Sequence, residues 1–446
     1  MMPNLTQLRL AAREIFDEAL LAVDAAAAVR RAIRLEDERV SVSDTVIDLS
    51  AQQPIYAIAI GKAAYRMASA LDEILAGKFT AGVLSSNASR GAAALPRWQA
   101  FQAGHPQPNE QSLAAAHAGF DLLKRADQES ALVIFLVSGG GSAMIEWPIN
   151  DEITLADLQT ANETLVHCGA SIGEINSVRR ALSSVKGGRL ADRAPHCEQM
   201  TLITSDVPLG EEANVASGPT ITPPRNAPIA RAVIAKYNLR SQLPGTILRA
   251  IDTESAASAP TATALLRRHF VVLDNQNALK AAAEGARRRG FVTEIANDIS
   301  DQPIADGCSA LLERTSQLRA RELAESGTAA VCLISGGEFA CPVRGNGIGG
   351  RNLESALRLA MAAGSSTSGS FVALCAGTDG IDGNSPAAGA IVDSTTMERS
   401  LAIGLDPQNS LSRSDAYSFF VALGEVIATG PTGTNVRDLR ILLRAG

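Results

Sequence analysis

ALVIFLVSGGGSAMI occupies residues 131–145. Ala131 to Val137 are apolar without interruption, and Ser138-Gly139-Gly140-Gly141-Ser142 follows at once. A strand that is apolar on both faces belongs inside a sheet covered by helices, the environment of parallel strands. The glycines permit positive φ and let another group approach the backbone closely. Backbone N–H groups exposed in such a loop can hold phosphate oxygens. Read alone, the same residues also fit an ordinary tight turn.

The pattern recurs on either side. YAIAIGKAAYRMASALDEIL (56–75) reads as strand, Gly61-Lys62, helix. MTLITSDV (200–207) returns to strand, and HFVVLDNQNALKAAAEGARRRG (269–290) gives strand then helix. AAVCLISGG (329–337) and FVALCAGTDG (371–380) repeat the apolar strand with a small-residue end. Residues 7–35 read as one long Ala- and Leu-rich helix ending at Arg30, Arg31 and Arg34. The tail ATGPTGTNVRDLRILLR (428–444) makes a turn before a last helix or strand. Repeated alternation predicts an α/β protein with mainly parallel sheets and helices covering them. Ligands in such folds sit beyond the carboxyl ends of the strands, where these loops fall.

Composition narrows the function. A chain of 446 residues predicts two or three domains at roughly 100–200 residues each. A net charge of −7 disfavours a broad basic face for nucleic acid. The opening MMPNLTQLRLAAREIFDEAL is too charged for a secretory signal, and LAVDAAAAV is too short to span a bilayer. A cytoplasmic protein is expected. None of the six cysteines forms CxxC and no HExxH occurs, which removes the common zinc frames.

Several residues could carry chemistry. Lys62 could meet a phosphate or a developing negative charge, or snorkel from a surface helix. Arg179 and Lys186, in VRRALSSVKGGRL, are seven apart, so a continuous helix would put them on one face. Asp206 ends a strand before Pro208-Leu209-Gly210, and Asp379 and Asp382 repeat that placement in AGTDGIDG. Such carboxylates can hold magnesium, although turns favour Asp beside Gly for conformational reasons too. Ser335-Gly336-Gly337-Glu338 is a second glycine loop after a strand, and GNGIGGRN (345–352) delivers Arg351 just before a helix. His105 sits in the turn-rich AGHPQPNE.

Taken together, these motifs resemble the type-2 glycerate kinase family with its C-terminal MOFRL domain. The matching stretches include GKAAYRMA (61–68), GHPQPNE (104–110), VSGGGSAM (137–144), INSVRRALSSVKGGRLA (175–191), SDVPLGEEANVASGPT (205–220), GIGGRNLESAL (347–357) and PTGTNVRDL (431–439). The resemblance implies two α/β domains: a Rossmann-like region over 1–240, a continuation and junction over 241–325, and a MOFRL-type domain over 326–446. It implies an active site in the interdomain cleft and transfer from ATP, with Mg2+, to the 2-hydroxyl of D-glycerate. It implies catalytic roles for Lys62, Asp206 and Arg351, with Asp206 as metal ligand. Substrate and phosphate would meet Ser138, Gly139, Gly140, Gly141, Ser142, Arg179, Lys186, Ser217, Gly218, Ser335, Gly336, Gly337, Glu338 and Asp379. The implied partners are D-glycerate and ATP, with no nucleic acid and no membrane; a homodimer stays open. Asn109 departs from the family's Asp. The alternatives are an NAD(P)-dependent hydroxypyruvate reductase, against which the missing GxGxxG speaks, and a non-catalytic sensor of small molecules.

Overall fold

The computed structural model describes residues 4–50, 52–87, 95–253, 267–327, 330–364 and 369–446. Part of the expected junction, residues 254–266, lies outside them. The chain forms two compact units: Ala25–Leu273, and Asp274–Gly446 together with the N-terminal segment that contains the helix Leu5–Ala22. The helix expected over 7–35 is therefore two helices, Leu5–Ala22 and Ala25–Ala32, followed by the strand Ile33–Glu36. The break falls at Val23-Asp24, and Asp favours the position just ahead of a helix over its interior.

The Ala25–Leu273 unit is built on a six-stranded sheet, parallel throughout. Its order across the sheet is Trp98–Gln102, Phe79–Ser86, Ile55–Ile60, Leu132–Ser138, Glu198–Thr204, Arg267–Leu273. Numbered along the chain, that is 3-2-1-4-5-6, the doubly wound order of nucleotide-binding sheets. The direction of winding reverses between Ile55–Ile60 and Leu132–Ser138, so the crevice for a ligand opens past Ile60 and Ser138. Both strands are buried along their whole length. Tyr56, Ile58 and Ile60 pack with Val133, Phe135 and Val137 and with Ala115, Ala116 and Leu123 of the helix Glu110–Gln128. The helix Ala64–Leu75 lies against the same strands. A small antiparallel sheet (Ile33–Glu36, Arg39–Val42, Thr45–Asp48) and a helical cluster around Leu158, Val178, Ile234 and Ile247 complete the unit.

The other unit departs from the expectation of mainly parallel sheets. Its six strands run in the order Val292–Ile295, Val331–Ser335, Asp438–Ala445, Ser370–Gly377, Gly389–Asp393, Val426–Ile427. Only the first pair is parallel: Asp438–Ala445 inserts antiparallel between two other strands, and the last two pairs are antiparallel as well. The tail is thus a central strand and wholly buried. Alternation splits its neighbours' side chains between two layers. Val372, Leu374 and Ala376 pack with Leu8, Ile15 and Phe16 of the N-terminal helix and with Leu279 and Ala283 of the helix Asn275–Arg288. Phe371, Ala373 and Cys375 face Cys308 and Leu311 of the helix Ile304–Ser326 and Leu353 and Leu357 of the helix Arg351–Gly364.

Candidate active site

At the switch point of the parallel sheet the two strand-end loops are bonded to each other. Lys62 N–H donates to the Gly139 carbonyl at 3.0 Å. Ala63 N–H donates to Ser138 Oγ at 3.1 Å, and that hydroxyl donates to the Ile60 carbonyl at 3.2 Å. Gly61 has φ +113°, and a Cβ there would lie 2.4 Å from the Ser138 carbonyl oxygen, so only glycine lets the loops meet. A Cβ built on Gly140 would lie 3.0 Å from the His105 ring and 3.2 Å from Lys62 Cγ. His105, Lys62 and Gly140 therefore line one crevice, with Lys62 half-buried and His105 exposed. Its turn-rich setting in the sequence marks His105 as an imidazole that could serve as acid, base or substrate donor; the fold puts it beside Gly140.

The loop ending in Ser217-Gly218 is fastened beside the glycine loop. The Ser142 and Ser217 hydroxyls lie 2.8 Å apart, and Ser217 Oγ donates to Asn176 Oδ1 at 2.8 Å. Arg180 Nη2 donates to the Ala213 carbonyl at 2.7 Å and to Asn214 Oδ1 at 2.8 Å. Its burial lowers the guanidinium pKa to about 10. Arg180, not Arg179, is thus the arginine that orders this loop; Arg179 donates to Asn162 Oδ1 at 2.8 Å. Asp206 follows two residues after the strand Glu198–Thr204, half-buried and one strand over from Ser138. Asn109, in place of the expected Asp, caps the helix Glu110–Gln128 by accepting Ser112 N–H at 3.0 Å. A carboxamide does that as well as a carboxylate.

Lys186 is placed otherwise than expected. The helix Ile172–Ala181 ends before it, because Ser183 Oγ takes the N–H groups of Val185 and Lys186 and turns the chain. The two-turn face shared with Arg179 does not form. The Lys186 ammonium is buried against the Glu146 carboxylate, which Ser183 Oγ also meets at 2.6 Å. Desolvation lowers its pKa even so. Lys186→Met removes the hydrogen-bonded counter-charge of the buried Glu146 and leaves only the more distant charge of Arg179, and stability should fall by about 3–5 kcal/mol. Adding Glu146→Leu should recover most of that loss in denaturant titrations. A Lys186→Met protein as stable as the parent would show that the pair does not hold this loop.

In the mixed sheet, three loops converge at the edge formed by the ends of Val331–Ser335 and Ser370–Gly377 and the start of Asp438–Ala445. Arg351 Nε and Nη2 grip Asp438 at 2.6 and 3.1 Å, and Nη2 also meets Glu338 Oε1 at 2.7 Å. Burial works against ionisation of Asp438, but Arg351 holds its carboxyl below the usual range. Asn352 Nδ2 donates to Asp438 Oδ1 at 2.9 Å and to Asp382 Oδ1 at 3.2 Å. Asp382 also accepts the backbone N–H groups of Asn352 and Leu353 at 3.1 and 2.8 Å, and burial pushes its carboxyl up to about 7.

The second glycine loop is more structural than the first. Gly337 N–H is committed to Asn275 Oδ1 at 3.1 Å, and a Cβ on Gly336 would fall 1.9 Å from that oxygen. The buried Arg440 collects the carbonyls of Gly336 and Gly337 and the Ser335 hydroxyl, and stacks on Phe339. Asp379 is half-buried in a turn, accepting Ile381 N–H at 3.2 Å.

Two family models match the chain. Residues 11–252 match the family described as Domain of unknown function (DUF4147), and residues 331–438 match the MOFRL family. The D-glycerate 2-kinase of Thermotoga maritima is 36% identical over 403 residues, 90% of this chain and 93% of that protein. This chain belongs to the glycerate-kinase-like family of DUF4147 and MOFRL proteins. The crystal structure of glycerate kinase from Thermotoga maritima superposes with a TM-score of 0.77 at 32% identity, covering 98% of this chain and 99% of that one. An Agrobacterium vitis member, 35% identical over 390 residues and 86% of each chain, carries a provisional name as a hydroxypyruvate reductase.

Glu146, Asn176, Arg180, Asn352, Asp438 and Arg440 were not singled out from the sequence, and Asp382 was noted only as a strand-end carboxylate of the kind that can hold magnesium. Signals existed. DLRILLRA alternates charged and apolar residues with period two across a strand-like run, and Glu146 interrupts the apolar Ala143-Met144-Ile145-Trp147. Among the described residues no helix is long and apolar enough to cross a membrane, and no three His, Cys, Asp or Glu side chains gather as a metal cage. Magnesium in phosphoryl transfer needs no such cage: it keeps several waters and takes one or two carboxylates plus substrate phosphates. Asp206 offers a hard oxygen donor of that kind.

Proposed function

We propose that this chain transfers the γ-phosphoryl group of ATP to the 2-hydroxyl of D-glycerate, releasing 2-phosphoglycerate and ADP. The observation that carries this reading is similarity along the whole chain, in sequence and in fold, to proteins named as glycerate 2-kinase and glycerate kinase. The switch-point crevice supports it, because a doubly wound sheet offers phosphates its strand-end loops there.

In this reading the Ser138–Ser142 loop cradles phosphate and Lys62 offsets charge on the transferring group. Arg351 binds an anionic group of substrate or nucleotide. Asp206 holds the magnesium that accompanies ATP; when bound, that ion neutralises phosphate charge. The protein's own part is alignment and preorganised charge, which dominate phosphoryl transfer. The 3-2-1-4-5-6 strand order is shared with dinucleotide enzymes, which is the one structural feature in favour of the reductase reading. The turn after Ile55–Ile60 is Gly61-Lys62-Ala63, not the glycine fingerprint, and Phe79–Ser86 ends without the acid that would hold a ribose.

Phosphorus NMR of the protein with MgATP and D-glycerate should show a 2-phosphoglycerate resonance with matching ADP. No phosphorylated glycerate, together with nicotinamide oxidation in the presence of hydroxypyruvate, would replace this reading with the reductase.

A further inference from the structure

Asn352 is the second residue of the helix Arg351–Gly364 and is 1% exposed. Its amide nitrogen bridges two buried carboxylates, Asp438 at 2.9 Å and Asp382 at 3.2 Å. That use fixes the amide's orientation, since only the nitrogen can donate. It also turns Oδ1 to where no hydrogen-bond donor meets it among the described residues. A buried polar atom without a partner costs stability, so its presence asks for a reason beyond folding. The reason lies one residue away. Asp438 grips Arg351 side-on through Nε and Nη2 and is itself 1% exposed. Its second support, Arg440 Nη2, stands at 3.5 Å. Arg351 touches both oxygens of this carboxylate, and the 2.9 Å contact from Asn352 adds a third fixed point, one that does not move with the guanidinium. Asp382 anchors Asn352 in turn by capping the first turn of the same helix.

We propose that Asn352 is a positioning residue of the phosphoryl-transfer site: through Asp438 it fixes which edge of Arg351 is presented to the anionic ligand. The chain of contact runs Asp382, Asn352, Asp438, Arg351. Asp438 and Glu338 occupy the Nε and Nη2 side of the guanidinium, and among the described residues no carboxylate pairs with Nη1, the end that would face the ligand. This rests on the reading that Arg351 acts in the transfer.

The test uses the full-length enzyme with MgATP and D-glycerate. Asn352→Ala removes the bridge but keeps the Asp382 cap on the helix backbone. A misaligned guanidinium should lower kcat by about 100-fold, with the KM for ATP and the thermal midpoint little changed. Free guanidinium at low concentration should restore part of the activity of Arg351→Ala, because the Asp438 seat survives. It should restore none in the Arg351→Ala, Asn352→Ala double variant. Should Asn352→Ala fail to fold, Asn352→Leu carries the same test: it fills the space of the amide without a donor for Asp438, and kcat should again fall. Wild-type kcat in Asn352→Ala with only a lowered thermal midpoint would overturn the proposal and leave Asn352 a helix-start residue. Wild-type kcat in Arg351→Ala would overturn the role of Arg351 itself, and the proposal with it; the two failures are told apart by which variant stays active.

Discussion

Lys62→Ala should lower kcat for glycerate phosphorylation by about 10²–10³-fold, or about 3–4 kcal/mol of transition-state stabilisation. The geometry makes this a clean substitution. What fixes residue 62 is its backbone N–H on Gly139 and the Ala63 N–H on Ser138 Oγ, and neither needs the lysine side chain. The fold and the glycine loop should survive, so the thermal midpoint should stay close to that of the parent. Lys62→Arg should not rescue the rate: the strand-end crevice has Gly140 against the lysine stem, and a planar fork is a different shape from a compact ammonium. Steady-state kinetics with both substrates settle the matter. A fall confined to the KM for ATP would make Lys62 a binding residue with no special part in the transition state. An unchanged kcat/KM would remove it from the site.

The second large effect is at Arg351, where activity and stability should separate. Arg351→Ala removes the main counter-charge of a buried carboxylate, Asp438. Breaking a buried pair costs about 3–5 kcal/mol, and because Arg351 is itself 34% exposed, water should hold the loss near the lower end. The rate should fall further than stability explains, by about 10²–10³-fold in kcat. Arg351→Lys keeps the charge and should recover much of the denaturant midpoint. It cannot grip Asp438 through two nitrogens while meeting Glu338, so its kcat should remain low. If lysine restores rate and stability together, Arg351 serves as a point charge and the side-on geometry is immaterial.

Much of the site was legible locally. The run Ala131–Val137 followed by Ser138–Ser142 could only be a buried strand ending in a loop, and the same holds for Ile55–Ile60 with Gly61-Lys62. Residue types fixed those statements, since an apolar run without period and a glycine stop need no distant partner to be read. The fate of Lys186 was not legible. VRRALSSVKGG has helical spacing throughout, and only the competition of Ser183 Oγ for two backbone N–H groups ends the helix and sends the ammonium to Glu146. The final strand was equally hidden: DLRILLR fits a helix or a strand until the mixed sheet accepts it antiparallel between Val331–Ser335 and Ser370–Gly377.

By itself the sequence determined the α/β class, the glycine-rich strand ends, the family, and Lys62 and Arg351 as residues to watch. Tertiary structure alone decided the strand order that puts Gly61-Lys62 beside Gly139. It also decided the antiparallel insertion that brings Asp438 to Arg351, 87 residues earlier in the chain, and the packing of the Leu5–Ala22 helix on the unit that begins at Asp274. The physical reason is range. Apolar period and turn chemistry act over a few residues and are written in the order of the chain. Which strand pairs with which, and which carboxylate meets which guanidinium, depends on register and burial across the whole sheet.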